Sequence, residues 1–140
     1  MADVIYNAFK KNIMNGGLDL DTDDIKVALV TSSYTPNQDT HEDFADVTNE
    51  VTGTGYTADG ASLANDAVTQ DNTDNEGVYD ADDVTWSSST ITARGAVVYY
   101  DTETAATSLL ICYIDFGSDQ SSSAGDFTIS WNAEGIVNLA

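Results

Sequence analysis

Positive charge is what this chain has least of. Four Lys and Arg stand against 24 Asp and Glu, a formal net charge of -20 over 140 residues. Lys10, Lys11 and Lys26 lie toward the N-terminus, and Arg94 stands alone in the second half. A surface so acidic repels nucleic-acid phosphates and anionic membrane leaflets, so no direct nucleic-acid or membrane partner is expected. Cys112 is the only cysteine and excludes an internal disulfide, which suits synthesis in a reducing compartment. His41 is the only histidine, so neither a His-rich metal site nor a histidine relay can be assembled. No apolar run approaches the ~20 residues of a membrane span. Met1-Ala2-Asp3-Val4 has no basic region followed by an apolar stretch, and no secretory signal is expected.

Large apolar side chains are present all the same. Seven Tyr, four Phe and two Trp argue against disorder, because acidic disordered chains usually lack aromatics. The length is that of one domain, residues 1–140, able to bury about two thirds of its unfolded surface.

Periodicity predicts one clear helix. Val4, Ile5, Phe9 and Ile13 recur at helical spacing, Asp3 stands where a cap belongs, and Gly16-Gly17 supplies a left-handed stop. Lys10 and Lys11 then complement the negative end of the helix dipole. From Ile25 the period changes. Ile25–Thr31 reads as a buried strand, Ser32–Thr40 with Pro36 as a loop, and His41–Val51 as a possible short helix around Phe44. A weak strand is expected near Leu63–Thr69, followed by a polar turn at Asp71–Gly77. In the second half, Val84–Ser87 and Ile91–Tyr100 flank a Ser-rich connection, with Gly95 marking a bulge or a close-packing point. Leu109–Phe116 is almost continuously apolar, Phe127, Ile129 and Trp131 alternate with polar residues, and Ile136–Leu139 closes the sheet. The sum is a mainly β fold: an antiparallel β-sandwich or barrel with a short N-terminal helix and room for one further short helix.

Candidate chemistry is sparse. Asp19, Asp21 and Asp23 have the alternate spacing that begins a calcium loop, but no glycine follows in place and Val30 stands where a bidentate glutamate belongs. Asp71–Gly77 and Asp80–Asp83 read more simply as charged turns. With so many acids, chance carboxylate pairs are inevitable and none marks a catalytic pair. Cys112, inside Leu110-Ile111-Cys112-Tyr113, reads as a small buried hydrophobe, and His41 as a surface residue. Gly53 and Gly55 lack the Lys-Ser or Lys-Thr of a phosphate loop. Arg94 is expected to pair with a carboxylate. The residues therefore predict no catalytic, cofactor or metal site, and no enzyme.

Four runs carry a resemblance: LDLDTDDIKVALVTSSYTP from Leu18, HEDFADVTNEVTGTGYTADGASLAN from His41, DADDVTWSSSTITARGAVVYY from Asp80, and YIDFGSDQSSSAGDFTISWNAEGIVNLA from Tyr113. Together they resemble a family of small structural proteins of tailed bacteriophages, of the head-decoration or capsid-cement type. The resemblance implies a compact β domain on the outer surface of the virion, made in the host cytoplasm. It implies the major capsid protein as partner, many copies per shell and a dimeric or trimeric state. No cofactor, small-molecule substrate or functional residue is carried over. Charge placement alone makes Lys10 and Lys11 candidates for contacting the shell. Two other functions remain open: a tail or head-tail adaptor protein, and a carbohydrate- or host-surface-binding module for which Tyr99, Tyr100 and Trp131 would supply stacking rings.

Overall fold

The computed structural model describes residues 2–140. In chain order its elements are β1 (Val4–Ile5), α1 (Asn7–Met14), β2 (Ile25–Val30), β3 (Ala61–Ser62), β4 (Ala67–Asp71), β5 (Glu76–Asp80), β6 (Val84–Ser89), β7 (Thr92–Tyr100), β8 (Leu110–Ser121), β9 (Gly125–Ile129) and β10 (Val137–Leu139). Single 3-10 turns lie at Phe44–Asp46 and Ala105–Thr107. All strand pairs are antiparallel. A five-stranded sheet runs β1-β8-β7-β2-β3, a three-stranded one β10-β5-β4, and β6 pairs with β9.

The five-stranded sheet is buried on both faces through β2, β7 and the first half of β8. Val27 and Leu29 of β2 join Val98 and Ile111 on one face, against Trp86, Phe127 and Ile129 of β6–β9 and Tyr79 and Val137 of β5–β10. Ala28 and Val30 turn the other way, toward Tyr6, Tyr34, Val97, Tyr99, Leu110 and Tyr113. Two-sided burial is the reason β2 and β7 read as continuous apolar runs rather than as alternating ones. Each fully buried Val, Leu, Ile or Phe contributes about 1.5–3 kcal/mol of transfer free energy. The main core lies between separate, open sheets, which makes the fold a sandwich and not a closed barrel.

One residue breaks the alternation. Ile111 and Cys112 are sequence neighbours, yet both face the main core. The pairing of β7 with β8 explains this: Val98 opposes Cys112 and Tyr99 opposes Leu110, so Ile111 is the extra residue of a β-bulge. Gly95 marks a second irregularity on the same pair, as its position in the strand predicts. A Cβ there would stand 2.5 Å from the Tyr113 hydroxyl and 2.7 Å from the Ile114 carbonyl oxygen.

Several boundaries differ from expectation. The helix begins at Asn7, not Val4, because Val4 and Ile5 pair with Tyr113 and Cys112 of β8. Asp3 does not cap it; its Oδ2 accepts the Asp115 N–H at 2.7 Å instead. The expected second helix contracts to the single turn Phe44–Asp46, closed by a reciprocal capping box between Asp43 and Asp46. Of the weak strand expected at Leu63–Thr69 only Ala67–Thr69 is extended, as the first part of β4; β3 ends before it at Ser62, and the polar turn narrows to residues 72–75 between β4 and β5. Much of the Ser-rich connection is strand, with β6 reaching Ser89, while Trp131 falls beyond the end of β9.

Candidate functional site

Two of the four cations are committed to carboxylates of the same fold. Lys26 Nζ lies 2.8 Å from Asp101 Oδ2, and the pair is largely buried. Burial pushes the Asp101 carboxyl up, but the Lys26 ammonium and the Glu103 N–H outweigh it and hold the group below the usual carboxylate range. Arg94 Nε donates to Asp115 Oδ1 at 2.8 Å, the carboxylate partner its isolation predicts. That pair is open to water and contributes little stability.

Lys10 and Lys11 are placed differently. Among the described residues neither makes an ion pair; Lys10 Nζ donates to Asn7 Oδ1 at 3.1 Å. Helix α1 buries Ala8, Phe9 and Asn12 and leaves Asn7, Lys10, Lys11 and Met14 exposed. Those four residues follow the i, i+3, i+4, i+7 rule and form one stripe. Met14 is 86% exposed, the most of any large hydrophobic residue among those described. The helix is anchored beneath by Phe9 in the main core and laterally by the loop before the 3-10 turn. There the Asn7 N–H donates to the Gln38 carbonyl, and Gln38 Nε2 donates to the Ile5 carbonyl.

The acidic clusters mostly serve their own backbone. Asp23 Oδ2 accepts the Asp19 N–H at 2.8 Å, and Asp19 Oδ1 accepts the Asp21 N–H at 3.0 Å. Asp71 Oδ1 takes the N–H groups of Thr73 and Asp74, closing the β4–β5 hairpin. Asp83 Oδ1 accepts the Trp131 N–H. Asp74, Glu76 and Glu134 bring carboxylate oxygens within 4.8 Å of one another, the one such group among the described residues. Asn138 Nδ2 bridges Glu76 Oε1 and the Glu134 carbonyl, which draws the segment before β10 onto the hairpin. Asp74 and Glu134 are exposed, so water and counter-ions screen their repulsion.

His41 departs from the surface position expected of it. Half-buried, it stacks on Tyr34 at 5.7 Å between ring centroids. Its Nδ1 accepts the Asn37 N–H, which makes Tyr34 the hydroxyl donor to the same nitrogen at 3.0 Å. Tyr6 in turn lies 2.8 Å from the Tyr34 oxygen. Cys112 is buried as expected, and desolvation pushes its thiol up to about 12, leaving it un-ionised and inert.

A second polar group escaped the sequence altogether. Glu50, half-buried, accepts the Tyr56 O–H at 2.6 Å and the Asp59 N–H at 2.8 Å, both on Oε2. The Tyr56 oxygen accepts the Leu29 N–H of β2 in return. Burial raises the Glu50 carboxyl above its ordinary value despite these donors. Its partners are distant in sequence or carried on irregular loops, so no spacing announces them.

Of the three candidate stacking rings, Tyr99 is 1% exposed, stacks on Phe44 at 4.1 Å and donates to the Asp59 carbonyl. It belongs to the core. Tyr100 is half-buried against the main core, and Trp131 is half-buried and lines a surface groove. Among the described residues no helix is long and apolar enough to cross a membrane. Comparison with family models, curated proteins and solved structures finds no match to this chain.

Proposed function

We propose that the protein is a non-enzymatic structural component of a tailed-bacteriophage particle, decorating the outer capsid shell and bridging major capsid protein subunits. The observation that carries this reading is the α1 stripe. On a molecule of net charge -20, the two lysines without ion-pair partners stand together beside the exposed Met14. A cationic patch with an apolar neighbour is complementary to an acidic protein surface, while the remaining acidic surface keeps crowded particles apart. The sequence resemblance supplies the virion context. In a shell built on rotational symmetry, a dimer or trimer fits the local axes.

Co-sedimentation with purified undecorated shells tests the docking surface. The wild-type chain is expected to pellet with the shells, and Lys10→Glu plus Lys11→Glu to weaken binding at least tenfold, since rim charges of opposite sign become like charges. Undiminished binding by the double variant would remove α1 from the interface. Copy number in purified particles tests the role: abundance near that of the major capsid protein is expected. A few copies per particle would shift the assignment to a tail or adaptor protein.

A further inference from the structure

The two layers of the sandwich part along one side. β8 pairs with β1 only at Cys112 and Tyr113, so its outer edge is open from Ile114 onward. β9 is hydrogen-bonded to β6 alone. Between these edges lies a groove of about 480 Å³, within the range of small-ligand sites. Its apolar part is Ile114, Phe116 and Trp131, half-buried and packed against the main core, with Ile129 of the core itself. Its polar part includes Asp115, Gln120 and Ser130, all exposed.

Trp131 is fixed before any ligand arrives. Its indole Nε1 donates to the Asp82 carbonyl at 2.8 Å, and its backbone N–H to Asp83 Oδ1 at 3.1 Å. A ring held at two points loses little further freedom on binding, which favours affinity.

Chemistry narrows the occupant. A β-strand added to β8 needs free edge donors, yet the Asp115 N–H already donates to Asp3 Oδ2 and the Gly117 N–H to Asp115 Oδ1. An anion meets the Asp3 carboxylate on a chain of net charge -20, and the Asp115 carboxylate, though its Oδ1 is held by Arg94, adds no positive charge of its own to the groove. A wholly apolar ligand would strip water from those same carboxylates without replacing it. A neutral sugar satisfies all three conditions: its C–H face covers an indole or phenyl ring, and its hydroxyls donate to carboxylate, amide and hydroxyl oxygens. We infer that this groove is a binding subsite for a neutral saccharide, with Trp131 as the stacking platform and Asp115, Gln120 and Ser130 as hydroxyl partners.

The site shares no residue with the α1 stripe, so it stands or falls apart from shell docking. The test uses the isolated 140-residue chain, labelled with a heavy nitrogen isotope for amide-resolved NMR. It is titrated with maltotriose, cellotriose and diacetylchitobiose, and with trigalacturonate as acidic control. At least one neutral sugar is expected to shift the amides of residues 114–116 and 128–132 and the Trp131 indole, at millimolar concentration. Trigalacturonate is expected to shift none of them. Trp131→Ala should weaken binding at least tenfold, and Gln120→Ala plus Ser130→Ala, at exposed positions, several-fold with the rest of the spectrum unchanged. Silence from all three neutral sugars, shifts confined to other surfaces, equal binding of trigalacturonate, or unchanged affinity in both variants would each overturn the assignment.

Discussion

Glu50 shows what a single half-buried carboxylate does to this fold. Its value is raised by desolvation, so the folded chain holds that proton more tightly than the unfolded one. Relative to an unperturbed carboxylate, its contribution is fully present below about pH 4.3 and is lost as pH rises through the higher folded value. At neutral pH the group is therefore a net cost, tolerated because Tyr56 and Asp59 bond the charged form. Glu50→Gln keeps an acceptor for both donors and removes the desolvated charge. It should equal or exceed wild-type stability at pH 7 and converge with it toward pH 4. Paired urea melts at the two pH values read the difference, which cancels the general effect of acid on so charged a chain. A variant clearly weaker than wild type at pH 7 would mean the hydrogen bonds to the charged form outweigh its burial. Sequence reading had no access to this residue. It recovered Cys112 and Arg94, whose surroundings follow from strand membership, and misplaced His41, whose burial depends on Tyr34 and Tyr6.

Elements were legible where the chain decides them locally and blurred where pairing decides them. β2, β7 and the first half of β8 carry β-branched and aromatic runs that no other element explains, and they sit where expected. The helix start shifted because β8 offered Val4 and Ile5 an edge to pair with, a partner more than a hundred residues away. The Ile111 bulge is invisible in sequence for the same reason: its two-against-one count exists only once β7 lies alongside. Gly60 gives the sharpest test of pairing. Its φ is +82°, and an added Cβ would stand 1.9 Å from the Val27 carbonyl oxygen. Gly60→Ala must then lift β3 from β2 as well as strain the turn, and is expected to cost more than ~3 kcal/mol. Thermal unfolding of the purified variant checks it, and a melting point within a degree or two of wild type would contradict the packing described.

Net charge acts on the molecule as a whole. Twenty-four acids against four basic residues give a self-repulsion that the two ion pairs do not cancel. Screening should therefore stabilise the fold, because the Debye length contracts from ~30 Å at 0.01 M salt to ~10 Å at 0.1 M. The melting temperature is expected to climb by several degrees from low salt to half-molar sodium chloride. A flat or falling dependence would show that the carboxylates' local hydrogen bonds outweigh their mutual repulsion. The same charge sets the terms for association: an interface between copies must leave the acidic faces outside it or neutralise them.

By itself the sequence determined class and charge. Period-two runs, aromatic content and turn residues specify an antiparallel β fold with one N-terminal helix, since each signal is a property of neighbouring residues. It also determined that Lys10 and Lys11 share a helix near one end. Only the tertiary structure decided which cations are left without carboxylates, for ion pairing joins Lys26 to Asp101 across seventy-five positions. It decided as well that Tyr99 is core while Trp131 borders a groove. Strand alternation assigns a side chain to a face of its sheet, but whether that face is covered depends on which other strands fold over it.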